Sequence, residues 1–337
     1  MNDSMKTRPT TGCRHSFLFI LSLGIAAVTG CSPEPKAELR VGINAWPGYE
    51  FLYLAQEKGF YRDEGVAVRI IEFNSLSDAR RAYERGQIDA FGTTVIEVLQ
   101  AREHSDRSPQ IVQVVDYSDG ADMVLTRPGI TNGATLRGKR IGVELGSLGV
   151  YILVRCLEKH GLTLADVTPV SSDQMSMEGS FQKGDLDAIV TYPPTSVNVL
   201  KNQKAHTFFT TAEIPGEVVD VIAVEADIAT QRAGDVAKLL RAFHKANDYT
   251  AKNPADAHAI MARREGITAK EFSEALTNGI QLISAAQQSD YLRPGGKLAA
   301  VIDTSDRILR QSGQIKGPDR RSNSLNASFA AAGDSRQ

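Results

Sequence analysis

Six short stretches rich in Gly, Ser and Thr hold the residues best suited to grip a ligand. They are Asn44 to Tyr49, Asn74-Ser75, Gly92-Thr93-Thr94, Glu144 to Ser147, Ser171-Ser172-Asp173 and Tyr192-Pro193-Pro194. Each falls between a strand-like run and a helix-like run. Such turns offer bare backbone N–H groups, hydroxyl donors and the positive end of a helix, which suits an oxyanion without a basic side chain. None of the six contains Lys or Arg. Ser and Thr are also ordinary helix caps, so several turns converging on one cleft say more than any one of them. Trp46, the single tryptophan, shares a Pro-Gly turn with Tyr49, and Tyr192 ends a strand-like run. Such amphipathic rings line a half-wet cleft or fill a core. Asp119, Asp122, Glu144, Asp173 and Asp220 crowd the same strand ends. They act as caps and solvated turn acids, or favour a ligand carrying an ammonium or a ring N–H.

Catalytic patterns are missing. No G-x-S-x-G, Walker loop, H-E-x-x-H or C-x-x-C occurs, so neither an enzyme nor a metal or cofactor is expected. Gly146-Ser147-Leu148-Gly149 has no base nearby. His104, His160, His206, His244 and His258 are expected on helix surfaces or in loops, without metal-ligand spacing.

The elements that must position these turns come in duplicate. Arg85-Gly86-Gln87-Ile88-Asp89-Ala90-Phe91 and Lys183-Gly184-Asp185-Leu186-Asp187-Ala188-Ile189 share one order: basic, Gly, any, aliphatic, Asp, Ala, apolar. Arg40-Val41-Gly42-Ile43 is echoed by Arg140-Ile141-Gly142-Val143, and the two Gly-to-Gly spacings are 44 and 42 positions. Two signatures at matched spacing predict two similar α/β lobes rather than one large sheet. Strands at 38–44, 66–73, 88–92 and 111–115 alternate with helices at 51–58, 75–86 and 94–103, implying a parallel sheet. After Pro128-Gly129 the pattern restarts, with strands at 139–144, 167–171 and 187–192 and helices at 147–160, 175–183 and 194–201. The stretches 122–125 and 220–224 read as paired strands leaving and re-entering lobe one. Helices at 236–252, 254–265, 270–277 and 297–311 belong to lobe one. The expected division is therefore lobe one at 38–125 and 223–312, lobe two at 126–222, and a ligand cleft between them. Residues 313–337, polar and poor in apolar side chains, are expected to be a disordered tail.

Bulk properties limit the partners. The chain has 337 residues, 42% hydrophobic, with net charge −2, which suits two globular lobes and excludes a nucleic-acid binder. Lys6, Arg8 and Arg14 precede an apolar run from Phe17 to Val28. Twelve residues of helix span about 18 Å, too short for a bilayer core of roughly 30 Å, so residues 1–30 read as a secretory signal. Residues 31–37 read as a short tether. Only Cys156 lies beyond Cys31, so no internal disulfide is expected, and Cys156 packs as a small apolar residue.

Val28-Thr29-Gly30-Cys31 resembles the bacterial lipobox, which implies cleavage before Cys31 and lipid on its thiol; a plain signal peptide is the alternative. Further along, G-I-N-x-W-P-G-Y at Gly42 to Tyr49, A-x-E-K-G-F-Y at Ala55 to Tyr61 and the G-x-I-D-A motif carry a second likeness. So do S-D-G-A-D at Ser118 to Asp122 and L-R-G-K-R-I-G-V-E-L-G-S at Leu136 to Ser147. Together they resemble the type II periplasmic binding proteins of the nitrate, sulfonate and taurine importer group, which also takes in pyrimidine-precursor-binding and pyrimidine-synthase-like proteins. The resemblance spans roughly Leu39 to Val224. It implies two lobes joined by two crossovers, a small-molecule ligand, an ABC permease as partner, a monomer, and a lipid-anchored chain in the periplasm or at the cell surface. It carries over Trp46, Tyr49, Thr93, Thr94, Gly146, Ser147 and Tyr192 as ligand positions. Asn74, Asp119, Glu144 and Asp220 join them from the turns and acids above. The alternatives are an exported ligand sensor for a membrane kinase and a pyrimidine-synthase-like enzyme, which the resemblance expects to carry a cysteine-rich motif.

Overall fold

The computed structural model describes residues 37–202 and 204–332. The expected leader, Cys31 and most of the tether lie outside these residues, as do residues 333–337.

Among the described residues eleven strands appear. They are β1 (Leu39–Ile43), β2 (Val68–Glu72), β3 (Ala90–Thr94), β4 (Pro109–Ser118), β5 (Met123–Thr126), β6 (Arg140–Val143), β7 (Thr168–Ser171), β8 (Ala188–Thr191), β9 (His206–Thr210), β10 (Val219–Glu225) and β11 (Ile280–Leu282). They form a six-stranded sheet in the order β11-β4-β10-β3-β1-β2 and a five-stranded sheet in the order β7-β6-β8-β5-β9.

The duplicated motifs build the same corner in each sheet. β1 lies parallel between β2 and β3, and β6 lies parallel between β7 and β8. Gly86 and Gly184 follow or end their helices with φ of +71° and +90°, a region glycine enters without a Cβ clash. Asp89 then accepts the Arg40 amide at 2.9 Å, and Asp187 accepts the Arg140 amide at 2.9 Å. A Cβ on Gly42 would come within 2.6 Å of Ile88, and one on Gly142 within 2.6 Å of Leu186. The aliphatic position of each motif packs against the bare backbone of the neighbouring strand.

The expected parallel order holds only in part. β10 runs antiparallel between β3 and β4, and β5 runs antiparallel between β8 and β9. The stretches at 122–125 and 220–224 therefore do not pair with each other. Each is the first strand after a crossing and becomes an inner strand of the lobe it enters. Residues 123–125 thus belong to lobe two's sheet and residues 219–222 to lobe one's. An apolar run announces a strand but not its partner. The crossings are 119–122 and 211–218, held side by side. Ser118 N donates to Val218 O at 2.9 Å and Thr211 N to Asp122 O at 3.0 Å, while the Ser118 and Thr211 hydroxyls meet at 2.7 Å. β9 and β11 were not expected.

Two further expectations fail on packing. Residues 313–332 are ordered against lobe one: Ile111 N donates to Ser324 O at 2.8 Å, Asn326 N to Ile111 O at 2.9 Å, and Phe329 is buried. β11 covers one end of β4's edge and this segment covers the other, so backbone pairing and three or four apolar side chains order a polar stretch. His244 is not on a surface. The helix Ala233–Lys252 buries it against β4, 3.2 Å from Gln113 Oε1, and burial lowers its pKa to about 4. Cys156 is fully buried in the helix Leu148–Lys159.

Candidate functional site

The carboxyl ends of β1, β8 and β10's neighbours converge where the lobes meet. After β1 the chain turns through Trp-Pro-Gly-Tyr, closed by the Tyr49 amide donating to Trp46 O at 2.9 Å. This turn wraps over Asp116 of β4. A Cβ on Gly48 would fall 1.9 Å from Asp116 Oδ2, so only glycine fits there. The indole Nε1 of Trp46 donates to the same oxygen at 3.2 Å. Tyr49 lies across Gly92, where a Cβ would press on its ring at 3.0 Å, and donates its hydroxyl to Asp220. From lobe two, Tyr192 sets its ring edge-on to Trp46 with centroids 6.0 Å apart, and its oxygen accepts from Asn44 Nδ2 at 3.4 Å. Between these groups is a cavity of about 10 Å³, completed by Leu76, Asp122 and Leu148.

Its electrostatics are one-sided. Asp116 and Asp220 are cross-strand neighbours on β4 and β10, and Asp122 follows on the first crossing. All three are no more than 2% exposed. Burial pushes Asp116 and Asp122 up to about 7 and Asp220 well above the usual carboxylate range, and repulsion adds to this, from Asp122 on Asp116, from both on Asp220 and from Glu97 on Asp122. No cation is among the groups acting on them. Neither Asp122 oxygen has a hydrogen-bond partner within the protein, nor do Asp220 Oδ2 and Asn44 Oδ1. Ser118 lies near Asp122, but its hydroxyl oxygen accepts the Asp122 amide and shares a hydrogen bond with the Thr211 hydroxyl. A proton shared between Asp116 and Asp220 would relieve that pair but not Asp122.

The lobes also grip each other, through carboxylates at helix N-termini. Glu144 at the end of β6 accepts the Ser77 amide at 2.8 Å, in the first turn of lobe one's helix Leu76–Glu84. Glu97, on lobe one's helix Val95–His104, accepts the Leu148 amide at 2.8 Å and the Ser147 hydroxyl at 2.7 Å. Those two begin lobe two's helix Leu148–Lys159. Arg80 adds a donor to Gly146 O at 3.1 Å. Each glutamate thus caps a helix of the opposite lobe, where an anion meets unpaired N–H groups and the positive helix end. Burial raises the Glu144 pKa, and the Ser77 contacts oppose the rise.

Of the expected positions, Trp46, Tyr49, Tyr192 and Asp220 line the pocket, while Glu144, Gly146 and Ser147 lie in the contact between lobes. Thr94 caps its own helix, accepting from Ile96 N at 3.2 Å and donating to Glu97. Thr93 is buried in β3. Two positions fall elsewhere. Asn74 is exposed, and Asp119 sits on the crossing, accepting from Gln281 at 3.2 Å. A strand end marks a face of the sheet, not how far the turn reaches. Asp116, Glu97 and Arg80 were not singled out, while Asn44 and Asp122 were noted among the turns and acids but not carried forward as ligand positions. Asp116 is interior to a strand; Thr94-Val95-Ile96-Glu97 carries a capping-box spacing that reads as local.

A family model described as "NMT1/THI5 like" matches residues 46–257. The chain is 30% identical over 146 residues to a 4-amino-5-hydroxymethyl-2-methylpyrimidine phosphate synthase of Aspergillus parasiticus, covering 43% of this chain and 42% of that one. It thus spans less than half of that relative. It is 24% identical over 323 residues to a Brucella abortus (strain 2308) protein whose name assigns a binding role and no ligand, covering 88% of this chain and 97% of that one. In structure it is similar to the alkanesulfonate-binding protein SsuA of Xanthomonas axonopodis pv. citri bound to MOPS. That match has a TM-score of 0.69 and 19% identity, covering 87% of this chain and 97% of the other. The two-lobed fold is that of the periplasmic binding proteins, and by its match over most of its length the chain belongs to the NMT1/THI5-like family.

Proposed function

We propose that the protein is the substrate-binding component of an ABC importer, taking a small polar molecule between its lobes and presenting the closed form to a permease. The observation that carries this is the small pocket walled by both lobes, with buried polar atoms that have no partner within the protein. A molecule touching both walls favours closure by its extra affinity for the closed form. The printed role of the sulfonate-binding neighbour and the full-length match to the Brucella protein support the same reading. An enzyme finds less support: Cys156, the free thiol among the described residues, is buried away from the pocket. Export by residues 1–30 and anchoring through Cys31 belong to the proposal.

Small-angle scattering tests closure: saturating ligand should reduce the radius of gyration of wild-type protein, and an unchanged radius with proven binding would sink the closure step. Deleting the gene should abolish uptake of that ligand. Intact uptake alongside a lost kinase response would return the sensor alternative. Cys31→Ser should move the protein from the membrane to the soluble fraction; wild-type protein found wholly soluble would rule out the anchor.

A further inference from the structure

We infer that the pocket takes a small organic cation with N–H donors, and that two of the helix ends suited to an oxyanion are already occupied by glutamates of the opposite lobe. This rests on the binding role proposed above and names its ligand class.

An oxyanion needs free N–H groups at a helix N-terminus or a basic side chain. Two of the helix ends at the cleft are engaged from the opposite lobe. Glu144 holds the Ser77 amide of one, and Glu97 holds the Leu148 amide and Ser147 hydroxyl of the other. The helix Val95–His104 is capped by its own Thr94, and the helix Glu50–Glu57, which opens at Tyr49 without a side-chain cap, carries the buried acid Glu50 in its first turn. No Lys or Arg lines the pocket. The chain's own carboxylates have taken the place a sulfonate or nitrate would occupy.

What faces the pocket is chiefly acceptors, beside the Tyr192 hydroxyl, which accepts from Asn44 and keeps its own proton to donate. Both oxygens of Asp122, one of Asp220 and the Asn44 carbonyl are buried and unpaired within the protein. Buried carboxylates are expensive unless paired and hydrogen-bonded. An incoming ammonium or amidinium supplies both the charge and the donors, whereas an anion would add repulsion. The rings of Trp46, Tyr49 and Tyr192 offer faces that attract a cation. Among the described residues no cluster of ligating side chains is placed to hold a metal ion, so the cation is organic. Closed as it is, the space amounts to about 10 Å³, room for about one water, so a head group enters only as the lobes part further.

The test uses the purified mature protein and six probes: methylguanidinium, methylammonium, tetramethylammonium, urea, methanesulfonate and nitrate. Readouts are Trp46 emission and melting temperature. Methylguanidinium and methylammonium should change both, tetramethylammonium should bind more weakly for want of donors, and urea and the anions should have no effect. Asp122→Asn, which keeps the shape, should weaken methylguanidinium at least about tenfold, the loss of one charge-assisted bond, yet melt higher than wild type without ligand. Tighter binding by methanesulfonate, nitrate or urea than by any cation overturns the inference and leaves the binding role standing. Tetramethylammonium binding as tightly as methylguanidinium, or an unchanged affinity in Asp122→Asn, also overturns it. No response to any of the six counts against the cleft as a binding site at all.

Discussion

Lobe one and lobe two build one corner twice and then use it differently. In each, an Asp of the repeated motif ties down the amide of an Arg that opens a neighbouring strand, at 2.9 Å both times. Only in lobe one does the Arg side chain also pair with the Asp, Arg40 with Asp89 at 2.6 Å, which helps hold the Asp89 carboxyl below its usual range. Beyond the strand ends the likeness stops. Lobe one brings Trp46, Tyr49, Asp116 and Asp220, a wall of rings and acids. Lobe two brings Tyr192, Leu148 and a helix N-terminus already capped from across the cleft. The scaffold is fixed by backbone geometry that any ligand needs, while the turns are free to change. The two lobes also differ in what steadies them. Lobe one carries the helices from residue 226 to 311 and the ordered tail, whereas lobe two includes a small separate core of Leu125, Met177, Phe181, Leu186, Ile189 and Val199.

The largest expected contrast is between the two aromatic walls. Trp46 is tied to Asp116 and packs near Tyr49 within its own lobe. Tyr192 owes much of its burial to Trp46 and Asn44 across the cleft. Trp46→Ala should therefore cost about 3–5 kcal/mol of stability, as for other buried aromatics. Tyr192→Ala should cost about half as much. Calorimetric ligand titration should show both losing affinity, since each lines the pocket. Equal losses of stability would erase the distinction, and a destabilised Trp46→Ala that binds normally would make Trp46 purely core.

Next in size is pH, which acts through the acids of lobe one and the crossing. Asp116 and Asp122, both near 7, are surrounded by Trp46, Tyr49, Asp220, Glu97 and Ser118, none of them cationic. Folded-state values above the ordinary ones mean these groups stabilise the fold fully below about pH 4, and this contribution is lost as pH rises through 7. Ligand-free wild type should lose up to about tenfold in its folding equilibrium per pH unit per group across that window. Asp122→Asn should show a shallower decline. Denaturant melts of both proteins between pH 5 and 8 decide it; parallel curves would mean Asp122 does not titrate there.

The smallest effect concerns the two reciprocal caps. Glu97→Gln removes the charge from a carboxylate making two cross-cleft bonds, Glu144→Gln from one making a single bond. A charged helix cap contributes about 1 kcal/mol, so either change should move the open–closed balance roughly fivefold toward open, Glu97 the more. Scattering on the ligand-free variants would show the larger radius. No change in either variant would mean that the pocket walls alone hold the lobes together.

From the chain alone, the duplication, every α-helix of eight residues or more and the strands of both parallel corners could be read. The reason is that Gly86, Gly184, Asp89 and Asp187 act locally: a left-handed turn and a side chain bonded to a nearby strand leave a signature in order and spacing. Trp46, Tyr49 and Tyr192 stood out because their turns follow strand ends. The tertiary structure alone decided which sheet received β5 and β10, because an apolar run carries no label for its neighbour. It also decided the chemistry of the cleft. Asp116 is an interior strand residue, and Glu97 looks like a cap for its own helix. Their roles depend on partners as far as 70 positions away in sequence, Trp46 for Asp116 and Ser147 with Leu148 for Glu97. Only when the lobes meet do two of the helix ends read as oxyanion sites turn out to be filled, each by a glutamate of the opposite lobe.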